Sequence, residues 1–124
     1  MGTKEVFVNG ALKIEVKVNN DTINVNWTGK SIDRKPDKFI SPILVNVFKL
    51  CSTDDKRIIF DFCKLDYMNS STITPIIKIL ERAKRGTAKI TIHYDGTLKW
   101  QDLNFSALGI FQTQDQRIEI KGIM

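Results

Sequence analysis

Histidine, cysteine and proline are scarce in this sequence, at one, two and three residues in 124. The lone histidine, His93, has no second His or Cys at ligand spacing and reads as an exposed strand residue rather than a metal ligand or catalytic base. Cys51 and Cys63 fit no metal or redox spacing, which reads as two reduced core thiols in a cytoplasmic protein. There is no glycine-rich phosphate loop; Gly29, Gly86, Gly96 and Gly109 stand alone as turn or cap residues. Apolar runs such as Ile43-Leu44-Val45 fall far short of the roughly 18 residues that a membrane-spanning helix needs. No hydrophobic segment follows Met1, so no secretory signal is expected, and Val6 stands where myristoylation would need Ser or Thr. Charge of one sign is not concentrated either. The net charge is +5, but acids interleave with bases in Lys13-Ile14-Glu15, Asp33-Arg34-Lys35-Pro36-Asp37-Lys38 and Arg117-Ile118-Glu119. That pattern suits a solvated surface and gives no reason to expect nucleic acid as a partner. No metal or cofactor is implied.

What is present is an ordinary globular composition, 42% hydrophobic and 27% charged, read as a single domain over residues 1–124. A chain of this length buries enough surface to fold without staples. Residues 10–18 alternate, with Leu12, Ile14, Val16 and Val18 against Lys13, Glu15 and Lys17. Residues 22–28 alternate again through Ile23, Val25 and Trp27, and the Asn19-Asn20-Asp21 turn between the two runs predicts a hairpin. From Phe39 to Cys51 the apolar residues recur at helical spacing. Ser41-Pro42 would start that helix; a start near Asp37 would force a break at Pro42.

Residues 57–62 form the most apolar strand, expected at the centre, and Lys64 to Asn69 reads as a loop. Residues 71–85 read as a helix with Ile73, Ile76, Ile77 and Leu80 inward, capped by Asn69 or Ser70 and stopped at Gly86. Residues 88–94 and 117–123 alternate as two further strands. Leu98 to Phe111 is a weaker helix with Leu98, Leu103, Leu108 and Phe111 as its core side. The order β-β-α-β-α-β-α-β predicts an α/β fold: a hairpin, then parallel strands joined by right-handed crossovers, five strands in sequential order. Most strands show one wet face, so the helices should lie mainly on the other. The wet face, with Lys13, Asn24, Lys89, His93 and Lys121, is either solvated or a partner surface.

One stretch stands out for chemistry. Asp61 to Ile73 runs from the C-terminal edge of the central strand into a helix start, where α/β sheets bind ligands and partners. It carries Asp61 and Asp66, too few convergent groups for a metal, and the hydroxyls of Ser70, Ser71 and Thr72. Asn-Ser-Ser is good capping chemistry by itself. Ser71 would also sit near the first helical position, where the helix dipole favours a phosphoryl group of charge about −1.5 to −2. Capping and switching both fit these residues.

The stretch from Ile58 to Arg85 resembles the core of the STAS family, the domain of anti-sigma factor antagonists and of sulfate-transporter tails. That family has an apolar strand ending in Asp, then Leu-x-Tyr/Phe-x-Asp-Ser-Ser-Gly, then an apolar helix. Here the residues are Ile58-Ile59-Phe60-Asp61-Phe62, then Leu65-Asp66-Tyr67-Met68-Asn69-Ser70-Ser71-Thr72. Asn69 replaces the family's Asp, as in a subset of STAS-like bacterial regulators, some of which share a Trp-Gln pair like Trp100-Gln101, and Thr72 replaces its Gly. The resemblance implies a non-enzymatic signalling protein. Its partners would be a Ser/Thr kinase or anti-sigma factor of the histidine-kinase-like ATPase fold, and a PP2C-like phosphatase. By position the phosphate acceptor would be Ser71, with Ser70 and Thr72 as alternates. Gly29 resembles the glycine leading into the family's first helix, and Asp33 in the following loop would lie beside Ser71. Gly29, Asp33, Asp66, Asn69, Ser70, Ser71 and Thr72 would share the docking surface. The alternative is a constitutive STAS scaffold in a transport or signalling complex, with the serines acting only as a cap.

Overall fold

The computed structural model describes residues 2–123. The two alternating runs form β2 (Leu12–Val18) and β3 (Thr22–Ser31), paired antiparallel with Ile14 opposite Trp27 and Val16 opposite Val25. The strands β4 (Arg57–Asp61), β6 (Lys89–Asp95) and β7 (Ile118–Ile123) continue the sheet from β3 in parallel. Two further strands were not legible in the alternation. The strand β1 (Thr3–Asn9) pairs antiparallel with β2 at the edge, and β5 (Leu65–Met68) pairs with the far end of β3. The sheet therefore has seven strands rather than five, in the order β1-β2-β3-β4-β6-β7 with β5 off that path. The expected class holds: a hairpin, then parallel β-α units in sequential order.

A signal for β1 was present in Asn9-Gly10. The turn between β1 and β2 is two residues long, and Gly10 supplies the positive φ, 59°, that such turns need at the first central position. The strand β5 reads as a loop in the sequence because it has only four residues, with the exposed pair Asp66 and Tyr67 breaking its alternation.

Three helices, α1 (Asp37–Asp54), α2 (Ile73–Arg85) and α3 (Lys99–Ser106), cover one face of the sheet. The face beneath them is dry: Ile14, Ile23, Val25, Trp27, Ile58, Phe60, Ile90, Ile92 and Ile118 are buried. The opposite face carries Lys13 and Lys121, which are exposed, and Asn24, Asn26, Lys89 and His93, which are partly buried. Trp27, Phe62 and Phe105 pack in series, the first pair tilted and the second stacked, with ring centroids 4.9 and 4.5 Å apart, and lock the C-terminal end of the sheet to α3.

Two expectations need correction. The first helix begins at Asp37, not at Ser41, and passes through Pro42 unbroken. Pro42 removes one donor, to the carbonyl of Lys38; both residues are exposed, so water can take that bond. In α3 the core residues are Phe105 and Gln101, whereas Leu103 is 69% exposed and Leu98 lies before the helix, 38% exposed. The helix is only eight residues long and is followed by a 3-10 turn, Ala107–Phe111, so 3.6-residue spacing across 98–111 misplaces Leu98 and Leu103, while Leu108 is buried and Phe111 packs against the core as expected.

Candidate functional site

Past the C-terminal ends of β3 and β5 the chain enters α2 through a 3-10 turn, Ser70–Thr72. Asn69 precedes this turn in extended conformation and caps it. Its side-chain carbonyl accepts the Thr72 amide N–H at 3.1 Å and the Thr72 hydroxyl at 2.8 Å. Its side-chain amide donates to the Asp33 carbonyl at 2.7 Å, and its backbone N–H donates to the Ser31 carbonyl at 2.9 Å. The donor bond is the one that needs asparagine. An aspartate would be acceptor-only when ionised and would lose the bond that fastens the β3–α1 loop to the turn.

Thr72 is fully buried. Its hydroxyl proton goes to Asn69, so Ser31 Oγ, 2.6 Å away and also buried, donates to it. The third hydroxyl of the motif is therefore a strut between β3 and α2, not an open acceptor for a kinase; in this respect the expectation for Thr72 is corrected. Ser70 and Ser71 face solvent. Asp33 sits where the resemblance implies, against the motif: its carbonyl takes Asn69, and its carboxylate accepts the Lys35 amide at 3.1 Å and the Asn9 side chain at 3.3 Å.

Gly29 and Asp66 are placed differently. Gly29 lies within the sheet, paired with Leu12 and Leu65 at a bulge in β3. Its φ is 86°, and a Cβ there would come within 1.9 Å of the Ala11 carbonyl oxygen, so the fold itself demands glycine. Asp66 is exposed on β5 at the same sheet edge and makes no hydrogen bond to the Asn69 cluster among the described residues.

Sequence reasoning missed Ser31, and it missed what Gln101 does. Gln101 is fully buried; its amide donates to the carbonyls of Phe62 (2.7 Å) and Leu65 (3.0 Å), and its carbonyl accepts the Asp95 N–H (2.7 Å). It thereby fixes the segment between β4 and the Ser-Ser turn. A polar residue between Trp100 and the buried Phe105 was the available signal. Asp61 accepts the Cys63 N–H at 2.9 Å, and Cys63 is pushed up to about 11 by burial, then by the hydrogen bond and charge of Asp61. Both cysteines are free thiols. His93 lies half-exposed beside Asp61 on the open face, and no group of three metal-ligating side chains occurs among the described residues.

Against known proteins, the chain matches the profile of the SiaC family regulatory phosphoproteins over residues 11–100. No curated protein matches it. Among solved structures it resembles SiaC of Pseudomonas aeruginosa, with TM-score 0.61 and 13% identity over 85% of this chain and 90% of that one. It also resembles an anti-sigma factor antagonist from Mycobacterium paratuberculosis, with TM-score 0.54 and 12% identity over 94% and 91% of the two chains. At those identities the likeness speaks for the fold, and it bears out the architecture expected from the anti-sigma factor antagonists. The profile match spans most of the sequence, including β2 to β6 and the whole Asn69–Thr72 turn, and on that ground this chain belongs to the SiaC family of regulatory phosphoproteins.

Proposed function

We propose that this chain is a cytoplasmic, non-enzymatic binding module whose docking surface is switched by reversible phosphorylation of Ser71. The observation that carries the reading is the division of labour in one turn. Thr72 and Asn69 are consumed in holding the turn, while Ser71 next to them is exposed and its side chain makes no hydrogen bond among the described residues. A kinase would transfer the γ-phosphoryl group of ATP to Ser71 Oγ, releasing ADP and the hydroxyl proton. The backbone need not move, because the turn is held by the buried Ser31–Thr72 contact and the Asn69 cap. The partners are a Ser/Thr kinase or anti-sigma factor of the histidine-kinase-like ATPase fold, opposed by a PP2C-like phosphatase. They would read the surface formed by Asp33, Asn69, Ser70 and Ser71, with Asp66 and the Gly29 bulge at its margin. Ser70, also exposed, is the alternate acceptor.

Incubation with the cognate kinase and ATP, followed by phosphosite mapping, should label Ser71. Label on neither Ser70 nor Ser71 refutes the switch. A second reading, a constitutive STAS scaffold, is favoured by the completeness of the Asn69 cap, which accounts for that part of the motif without any modification. A Ser71→Asp variant separates the two: weakened partner binding supports the switch, and unchanged binding supports the scaffold.

A further inference from the structure

Ser71 opens onto a groove of about 250 Å³ between the start of α1 and α2. Three cations line it, Arg34, Lys35 and Lys78, together with a single carboxylate, Asp37, and the hydroxyl-bearing Thr74. Lys78, on α2, and Ser71, in the 3-10 turn that leads into α2, both line it. Arg34 and Lys35 are brought to the same place by the bonds from Asn69 to the Asp33 and Ser31 carbonyls. None of the three cations forms a salt bridge among the described residues; the four ion pairs there lie elsewhere. Three cations against one carboxylate leave this exposed groove with a net charge of +2.

We propose that this groove is the receptor, in cis, for the phosphoryl group on Ser71: Arg34, Lys35 and Lys78 close on it and tie the β3–α1 loop to α2. The inference rests on the proposed modification of Ser71 and says what becomes of the phosphate. A group of charge about −2 nearly cancels the groove's excess charge, and its three acceptor oxygens match the donors that Arg and Lys present. Phosphorylation then does not simply add a bare negative charge. It removes a positive groove from the docking surface and stiffens its rim, and a partner bearing acidic side chains would sense both changes. Ser70 does not line the groove, so a phosphate there would remain in solvent.

The test uses the full chain with phosphoserine installed genetically at position 71, which requires no kinase, and follows the phosphate's second ionisation by phosphorus NMR. An ordinary phosphoserine titrates near about 6. The receptor predicts a value lower by roughly half a unit or more, since nearby cations favour the dianion. Arg34→Ala and Lys78→Ala should each return it part of the way, and Asp37→Asn should lower it further. Phosphoserine at position 70 should keep the ordinary value. An ordinary value at position 71, or a lowered one that the cation variants leave unmoved, overturns the receptor. A failed kinase assay beside a lowered value would sink the switch and leave the receptor standing; the reverse pair of results would do the opposite.

Discussion

Replacing Thr72 by valine tests the anchoring role directly. Valine keeps the volume and branching of threonine but has no hydroxyl. The chain Ser31 Oγ–H to Thr72 Oγ to Asn69 Oδ1 then loses its middle member. Two hydrogen bonds worth about 1 kcal/mol each disappear, and the Ser31 hydroxyl is left buried without an acceptor, which costs about 1–3 kcal/mol. Some of that is returned by the lower cost of burying a methyl group, so a net loss of about 2 kcal/mol is expected. For a domain of this size that corresponds to a drop in Tm of roughly 6–10 °C, readable by circular dichroism or calorimetry. Ser31→Ala alone should cost about 1 kcal/mol, because Thr72 keeps its donor bond to Asn69. The double variant removes both ends of the buried contact and should be no less stable than Thr72→Val alone, a coupling of about 1 kcal/mol or more. Additivity of the two single changes to within about 0.5 kcal/mol would refute the argument, since it would mean that the two hydroxyls do not depend on each other.

Three other expectations follow. Gln101→Leu keeps the bulk but orphans the carbonyls of Phe62 and Leu65 and the amide of Asp95, and should cost about 3 kcal/mol or more; denaturant unfolding with a loss below about 1 kcal/mol would contradict it. The thiol of Cys63, raised from 9.0 to about 11, should react with iodoacetamide at pH 8 roughly 100-fold more slowly in the folded protein than in the unfolded one. Because the folded state holds this proton longer, its contribution to stability is intact below the unfolded value and is lost as pH rises through about 11. Unfolding curves taken across that alkaline range should move to lower denaturant; a stability flat from neutral pH to 11 would count against it.

Alternation and helical spacing carried the plan of the molecule. Leu12 to Val18, Thr22 to Thr28, Arg57 to Phe62 and Ala88 to Tyr94 each declare a strand, because burying one face of a sheet forces a period of two. The sequential parallel order then followed from the helices between them. Ser71 could be located at a helix start because Asn-Ser-Ser caps chemically, a local property. The strands β1 and β5 escaped because an edge strand and a four-residue strand need not alternate. The start of α1 and part of the inward side of α3 escaped because neighbouring packing overrode local preference. The roles within the motif were decided only in three dimensions. Ser70, Ser71 and Thr72 are near-equivalent as letters, and which hydroxyl is buried depends on Ser31, forty-one residues away from Thr72. The same holds for the cationic groove, whose members come from two elements brought together by the Asn69 side chain. Local sequence sets which conformations are cheap; which polar groups meet, and so which remain free to act, is fixed by contacts between distant segments.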